Sequence, residues 1–300
     1  MVLEADEGAG ARNYRTAPKD LSRRALRWVK RSDTRVRRAI DLLEANLGEP
    51  LKKQKRPPLR VLVLTILSQN TTDSNALAAY ENLLTRFPAQ DPPHGQPDLL
   101  PRDESGAIDK VKIRMSRVAD LFPDHDWSKM AEASREELKK LISPAGLQES
   151  KSFTIRNIFN RLEETGVDFE LDGLISGRTT EEAIDILTSI KGIGVKTAAV
   201  TLLESKGADV CPVDTHVHRV SVRLGFVAPG SSRTKTYRLL QDQIPEGKGY
   251  SLHHNLLSFG RSICTARSPD CGSCFLNRLC RDYRCEQKNE ELKIKYVGES

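Results

Sequence analysis

The sequence predicts an all-α fold, and three observations carry that expectation. Apolar residues recur at the three-to-four-residue helical interval along most of the chain. No run of alternating apolar and polar residues marks a half-buried strand. A helix-start signature, Thr179 followed three residues later by Glu182, opens one of the clearest amphipathic segments. Three hundred residues suit about two domains, and 38% apolar against 29% charged composition allows a sizeable core.

Residues 1–20 are expected to form a flexible N-terminal tail. Residues 1–60 hold 16 Lys/Arg against 8 Asp/Glu; since the whole chain is +6, the other 240 residues are net −2. Arg23, Arg24, Arg27, Lys30, Arg31, Arg35, Arg37 and Arg38 alternate with Leu26, Trp28, Val36, Ile40 and Leu43. This predicts one or two amphipathic helices with a basic outer face, either simply solvated or touching a phosphate backbone. Val61–Leu67 reads as a buried helix, and Ala76, Leu77, Tyr80, Leu83 and Leu84 follow at helical spacing until Pro88 ends the pattern. Five prolines within residues 88–101 predict an irregular surface insertion, reaching to about residue 130, in which helical periodicity returns over Lys110–Leu121. Helices are expected again around Ser134–Ile142 and Ser150–Glu164.

The longest largely apolar run, Val61–Leu67, is only seven residues and mean hydropathy is −0.48, so no membrane-spanning helix is expected. The N-terminus has no basic-then-apolar leader, which predicts an intracellular protein, in cytoplasm or nucleoid, or in a nucleus or mitochondrion. In that setting the six cysteines need an explanation other than disulfides.

From Thr179 the chain is more specific. Ala183, Ile184, Leu187 and Ile190 form one apolar face; Lys191-Gly192-Ile193-Gly194 interrupts it. Val195, Ala198, Ala199, Leu202 and Leu203 then make a second helix that ends by Gly207. Gly192 and Gly194 allow close backbone approach, and the free N–H groups opening the second helix suit an anion such as a phosphate. A purely structural hairpin is equally compatible with the residues alone. Further on, Val213-Asp214-Thr215-His216-Val217-His218-Arg219-Val220 starts a helix that Asp214 would cap. His216 and His218, two apart, point in different directions and make a poor metal pair; these two, with His253 and His254, read as structural or DNA-proximal.

Four cysteines follow within seventeen residues, Cys264-x6-Cys271-x2-Cys274-x5-Cys280. Four thiols this close argue for a metal centre, either iron–sulfur or zinc. Cys211 reads as a buried apolar residue and Cys285 as an incidental thiol near the tail.

These motifs resemble the endonuclease III family of helix-hairpin-helix DNA glycosylases. The family's L-P-G-V-G-x-K-T-A is matched by Ile190–Ala198, its V-D-T-x-x-x-R-V by Val213–Val220, and its cysteine spacing by Cys264–Cys280. Ser143–Lys151 resembles its x-x-x-G-L-x-x-S-K loop, and Leu67–Asp73 resembles L-S-A-Q-A-T-D, with Asn70 at the glutamine position and Gln69 before it. The resemblance implies a two-domain fold: a six-helix barrel over 57–208, and a cluster domain joining 21–56 to 209–300. It implies Lys196 as nucleophile, its amine pKa lowered by the helix N-terminus and partial burial, with Asp214 as its carboxylate partner. Leu147 would wedge into the duplex, Gln69 or Asn70 would fill the gap opposite the flipped base, and Gly192, Gly194 and Lys191 would meet the backbone. Cys264, Cys271, Cys274 and Cys280 would hold a 4Fe-4S cluster.

The expected protein is thus a monomeric bifunctional DNA glycosylase and AP lyase of base excision repair, acting on double-stranded DNA with a damaged base, by family default an oxidised pyrimidine, or with a mispaired base or an abasic site. A monofunctional glycosylase for uracil or thymine opposite guanine is one alternative. A non-catalytic helix-hairpin-helix DNA-binding protein is the other.

Overall fold

The computed structural model describes residues 23–51, 56–89 and 125–283, with side chains from Thr34 onward. The expected tail, most of the proline-rich insertion with its helix at 110–121, Cys285, and the side chains of Arg23, Arg24, Arg27, Lys30 and Arg31 lie outside the described residues. The described chain is helical, with no strand; one isolated bridge joins Pro88 to His125. Phe87 O also accepts from Asp126 N–H at 3.0 Å, so the two ends of the insertion are pinned together. Among the described residues no helix is long and apolar enough to cross a membrane.

Helix α1 (Arg23–Leu47) is one continuous helix. Val36, Ala39, Ile40 and Leu43 are buried at helical spacing, while Arg37 and Arg38 are exposed. Arg35 departs from the basic outer face expected for it: it is half-buried and donates from Nη1 to Leu224 O at 3.0 Å. The i to i+3 spacing that puts Val36 and Ala39 in the core turns Arg35 to the edge of that face, where a distant carbonyl takes it.

Helix α2 (Pro58–Leu67) opens on Pro58, whose missing N–H costs nothing in a first turn, and nine of its ten residues are buried. A turn through Asn70 leads to α3 (Asp73–Arg86), capped by Thr72, which accepts from Asn75 N–H. Then come α4 (Trp127–Glu132), capped by Asp126, and α5 (Arg135–Leu141), capped by Ser134. A 3-10 turn at Ser143–Ala145 leads through Gly146 and Leu147 into α6 (Gln148–Thr165). The short α7 (Asp172–Ile175) precedes α8 (Thr180–Ser189), whose Thr179–Glu182 capping box forms as the sequence predicts. Next are α9 (Val195–Lys206), α10 (Thr215–Leu224), α11 (Arg233–Gln241) and α12 (Gly249–Ser262).

The strongest helix packings fall into two sets. In one, α2 lies along α9 and also meets α3 and α6, α9 meets α8, and α5 meets α6 and α3. In the other, α12 packs on α10 and α1, and α10 on α11. The second set therefore joins an N-terminal helix to C-terminal ones. Lys248 Nζ reaches Glu44 Oε2 at 2.8 Å and Asn255 Nδ2 donates to Gly48 O at 3.2 Å across that junction. A continuous apolar core runs through both sets, from Val36 to Leu276.

Candidate functional site

The turn between α8 and α9 sits on α6. Asn157 Nδ2 donates to Lys191 O at 3.0 Å, and Gly192, at φ +101°, has its hydrogen against the Thr154 side chain, where any β-carbon would collide. Gly194 serves differently. It is the N-cap of α9, in extended backbone, with open space where a β-carbon would be and no side-chain cap on the helix. The first N–H groups of α9 therefore point outward with their positive field, the arrangement that receives a phosphate. Lys191 is exposed, its ammonium 5.3 Å from the Phe153 ring centre.

Lys196 lies in the first turn of α9. It reaches solvent, yet its amine is surrounded by enough protein that desolvation holds its pKa below the ordinary lysine value; Arg261, at the end of α12, pushes the same way, and Asp214 opposes both. Asp214 and Arg261 are thus both within electrostatic reach of Lys196, from two other helices. Asp214, itself in extended backbone, follows a buried stretch, Val210–Val213, and caps α10, its Oδ1 accepting from Val217 N–H at 2.7 Å. His253 is buried beneath that stretch and donates from Nδ1 to Pro212 O at 2.9 Å. His254 meets Glu204 at 3.1 Å, and His218 Nδ1 meets Thr236 Oγ1 at 2.9 Å. All three have protein partners.

Leu147 is 54% exposed although apolar, and it leads into α6 at φ +50°. Asn70 is exposed at φ +51°, whereas Gln69 is half-buried with Nε2 donating to Thr197 Oγ1 at 3.2 Å. Of the two amides, then, Asn70 is the one presented to solvent. Lys151, the last residue of the Ser143–Lys151 motif and given no role by the sequence, is fully buried, and its ammonium donates to Leu67 O and Ala145 O. A lysine at a helical position facing inward was the available signal.

Cys264, Cys271, Cys274 and Cys280 all line one partly open cavity of about 130 Å³, with Leu224, Phe259 and Ile263 also on its wall. Among the described residues no three ligating groups stand at single-ion spacing. Four half-buried thiols spread around a space of this size suit a polynuclear cluster better than one tetrahedral zinc. Burial pushes the Cys274 and Cys280 thiols up, so cationic iron is what would hold them as thiolates. Arg219 Nη2 donates to Gly260 O at 2.7 Å and to Cys264 O at 2.9 Å; Arg223 Nη1 donates to Thr265 O at 2.7 Å and lies 3.4 Å from Cys264 Sγ. The helix that Asp214 opens is therefore the one that grips the cysteine loop. Cys211 is fully buried, and burial raises its thiol far above the usual range, as an apolar filler's would be.

Comparison with known proteins adds three findings. The family model for HhH-GPD superfamily base excision DNA repair proteins matches residues 63–246, and that for the iron-sulfur binding domain of endonuclease III matches 264–280. Endonuclease III of Sulfolobus acidocaldarius is 28% identical over 228 residues, 76% of this chain and 83% of the relative; that of Bacillus subtilis is 33% identical over 159 residues, 53% and 68% respectively. Among solved structures, a trapped endonuclease III–DNA covalent intermediate in an estranged-adenine complex superposes with TM-score 0.60 at 25% identity, covering 85% of this chain and 98% of that one. The chain accordingly carries a 4Fe-4S cluster, and the matched iron-sulfur segment, 264–280, is the stretch that contains the four clustered cysteines.

Proposed function

The chain belongs to the endonuclease III family, within the HhH-GPD superfamily of base excision DNA repair proteins, and from that premise we propose that it is a bifunctional DNA glycosylase and AP lyase whose amine is Lys196. The observation that carries this reading is the environment of Lys196: an amine in the first turn of α9 whose pKa is lowered by the protein around it, within electrostatic reach of the carboxylate that caps α10. A lowered pKa leaves more of the amine neutral near pH 7, which is what a nucleophile requires. That the related endonuclease III was trapped as a covalent intermediate with DNA supports the same chemistry.

The substrate is double-stranded DNA carrying a damaged base, foremost an oxidised pyrimidine, or an abasic site. The N-terminus of α9, with Gly192, Gly194 and Lys191, grips the backbone. Leu147 enters the stack and Asn70, rather than Gln69, occupies the gap, so that the nucleotide turns outward at a cost of a few kcal/mol, least where pairing is already weakened. Asp214 accepts the proton of Lys196 and stabilises positive charge growing on the sugar. The neutral amine attacks C1′, the base departs, and a Schiff base forms; loss of a C2′ proton then expels the 3′ phosphate and nicks the strand. Cys264, Cys271, Cys274 and Cys280 would hold the iron–sulfur cluster, whose iron–thiolate bonds would brace the loop that Arg219 and Arg223 grip.

Borohydride trapping on a duplex with one oxidised pyrimidine tests this. Wild type should give a covalent adduct and Lys196→Ala none. Asp214→Asn, which keeps the helix cap, should slow excision by about 10²–10⁴-fold. No wild-type adduct, with base release intact, would leave a monofunctional glycosylase that activates water; an undiminished adduct from Lys196→Ala would place the amine elsewhere.

A further inference from the structure

We propose that Lys151 is a positioning residue for opening the duplex: one buried ammonium ties together the two turns that carry Asn70 and Leu147. This rests on the functional reading above, in which those two residues enter the DNA.

Lys151 is 2% exposed, in the first turn of α6, and its Nζ donates to Leu67 O and to Ala145 O, each at 2.8 Å. Leu67 is the last residue of α2, three positions before Asn70. Ala145 ends the 3-10 turn, two positions before Leu147. Among the described residues Asn70 and Leu147 are the two non-glycine residues at positive φ, +51° and +50°. That backbone is disfavoured for a residue with a β-carbon, leucine above all, and persists there only where the surroundings over-determine it. The same ammonium anchors the chain just before both.

Space-filling alone does not explain a lysine here, because an apolar side chain of equal length would fill the site without desolvating a charge. What the ammonium adds is several donors on one atom, able to hold carbonyls from segments 84 and 6 residues away. Asn70 and Leu147 must act on one vacancy in one helix, so the distance between their turns has to match the DNA. Misplacement of about 1 Å costs on the order of 100-fold in such constellations.

The test compares nicking of an abasic site in duplex and in single-stranded DNA by Lys151→Met, alone and combined with Leu147→Ala. A single strand has no stack to prop and no partner base to replace, so it reads the chemistry of Lys196 alone. Expected are a loss of tenfold or more in kcat on duplex, single-strand nicking within twofold of wild type, and little further loss on adding Leu147→Ala. Equal loss on both substrates, or full additivity of the two substitutions, would overturn the proposal. If Lys151→Met does not fold, Lys151→Arg, which keeps the charge but not both bonds, is put through the same comparison. Failure of the wild type to nick either substrate would instead defeat the functional reading.

Discussion

His253 and His254 are neighbours in the chain and stand in opposite environments. His253 is buried, donates to Pro212 O, and has its pKa pushed down to about 4, first by burial and then by the adjacent His254. His254 is half-buried against Glu204. The sign for stability follows from proton counts. Between about pH 4 and 6.5 the unfolded chain binds a proton at this position and the folded one does not, so stability is complete above 6.5 and is lost as pH falls toward 4, at up to about 1.4 kcal/mol per pH unit. His125, buried with its pKa lowered to about 3, acts in the same direction. Melting followed by circular dichroism should therefore show Tm dropping below pH 6.5, with a shallower drop in His253→Gln. An unchanged slope would mean that His253 is charged in the folded state. Because His253 holds the peptide two residues before Asp214, its protonation would also loosen the approach to that cap.

At the scale of elements, the α8–α9 hairpin separates the duties of its two glycines. Gly192 is needed for folding, since its positive φ and the Thr154 side chain both refuse a β-carbon. Gly194 has ordinary extended backbone and open space beside it. Gly192→Ala should cost about 1–3 kcal/mol in urea unfolding. Gly194→Ala should change stability by less than about 1 kcal/mol yet weaken DNA binding by anisotropy, because a methyl group would stand where the phosphate approaches the N–H groups of α9. If both variants lose stability equally, the hairpin has no open side.

Across the whole molecule, α10 connects the two centres. Its first turn is capped by Asp214, and Arg219 and Arg223 grip the peptides around Cys264 and Thr265. Arg35 of α1 holds the carbonyl of Leu224 at its far end. Stripping the iron frees the cysteine loop, whose carbonyls Arg223 and in part Arg219 hold, while Arg219 keeps Gly260 O of α12; the apo protein should therefore melt several degrees lower and lose base excision. Arg223→Ala should shed iron faster than wild type, read as a falling ratio of absorbance near ~400 nm to protein. An apo protein with the same Tm and full activity would show that the loop does not brace α10.

Local signals are legible in the chain itself: the capping box at Thr179, the Gly-x-Gly turn, the aspartate opening α10 and the cysteine spacing each depend on residues within a few turns of one another. The basic helix is legible too, but Arg35 is taken by Leu224, 189 residues away. Which amide faces solvent, Gln69 or Asn70, is undecidable from their adjacency and is decided by Thr197, which holds Gln69 back. Lys151 as a tie, and Arg261 as a second charge acting on Lys196, belong to the tertiary structure alone. The physical reason is that hydrogen bonds closing a cap or turn are set by sequence distance, whereas burial and the electrostatics it strengthens are set by spatial distance, which folding makes small between residues the sequence keeps far apart.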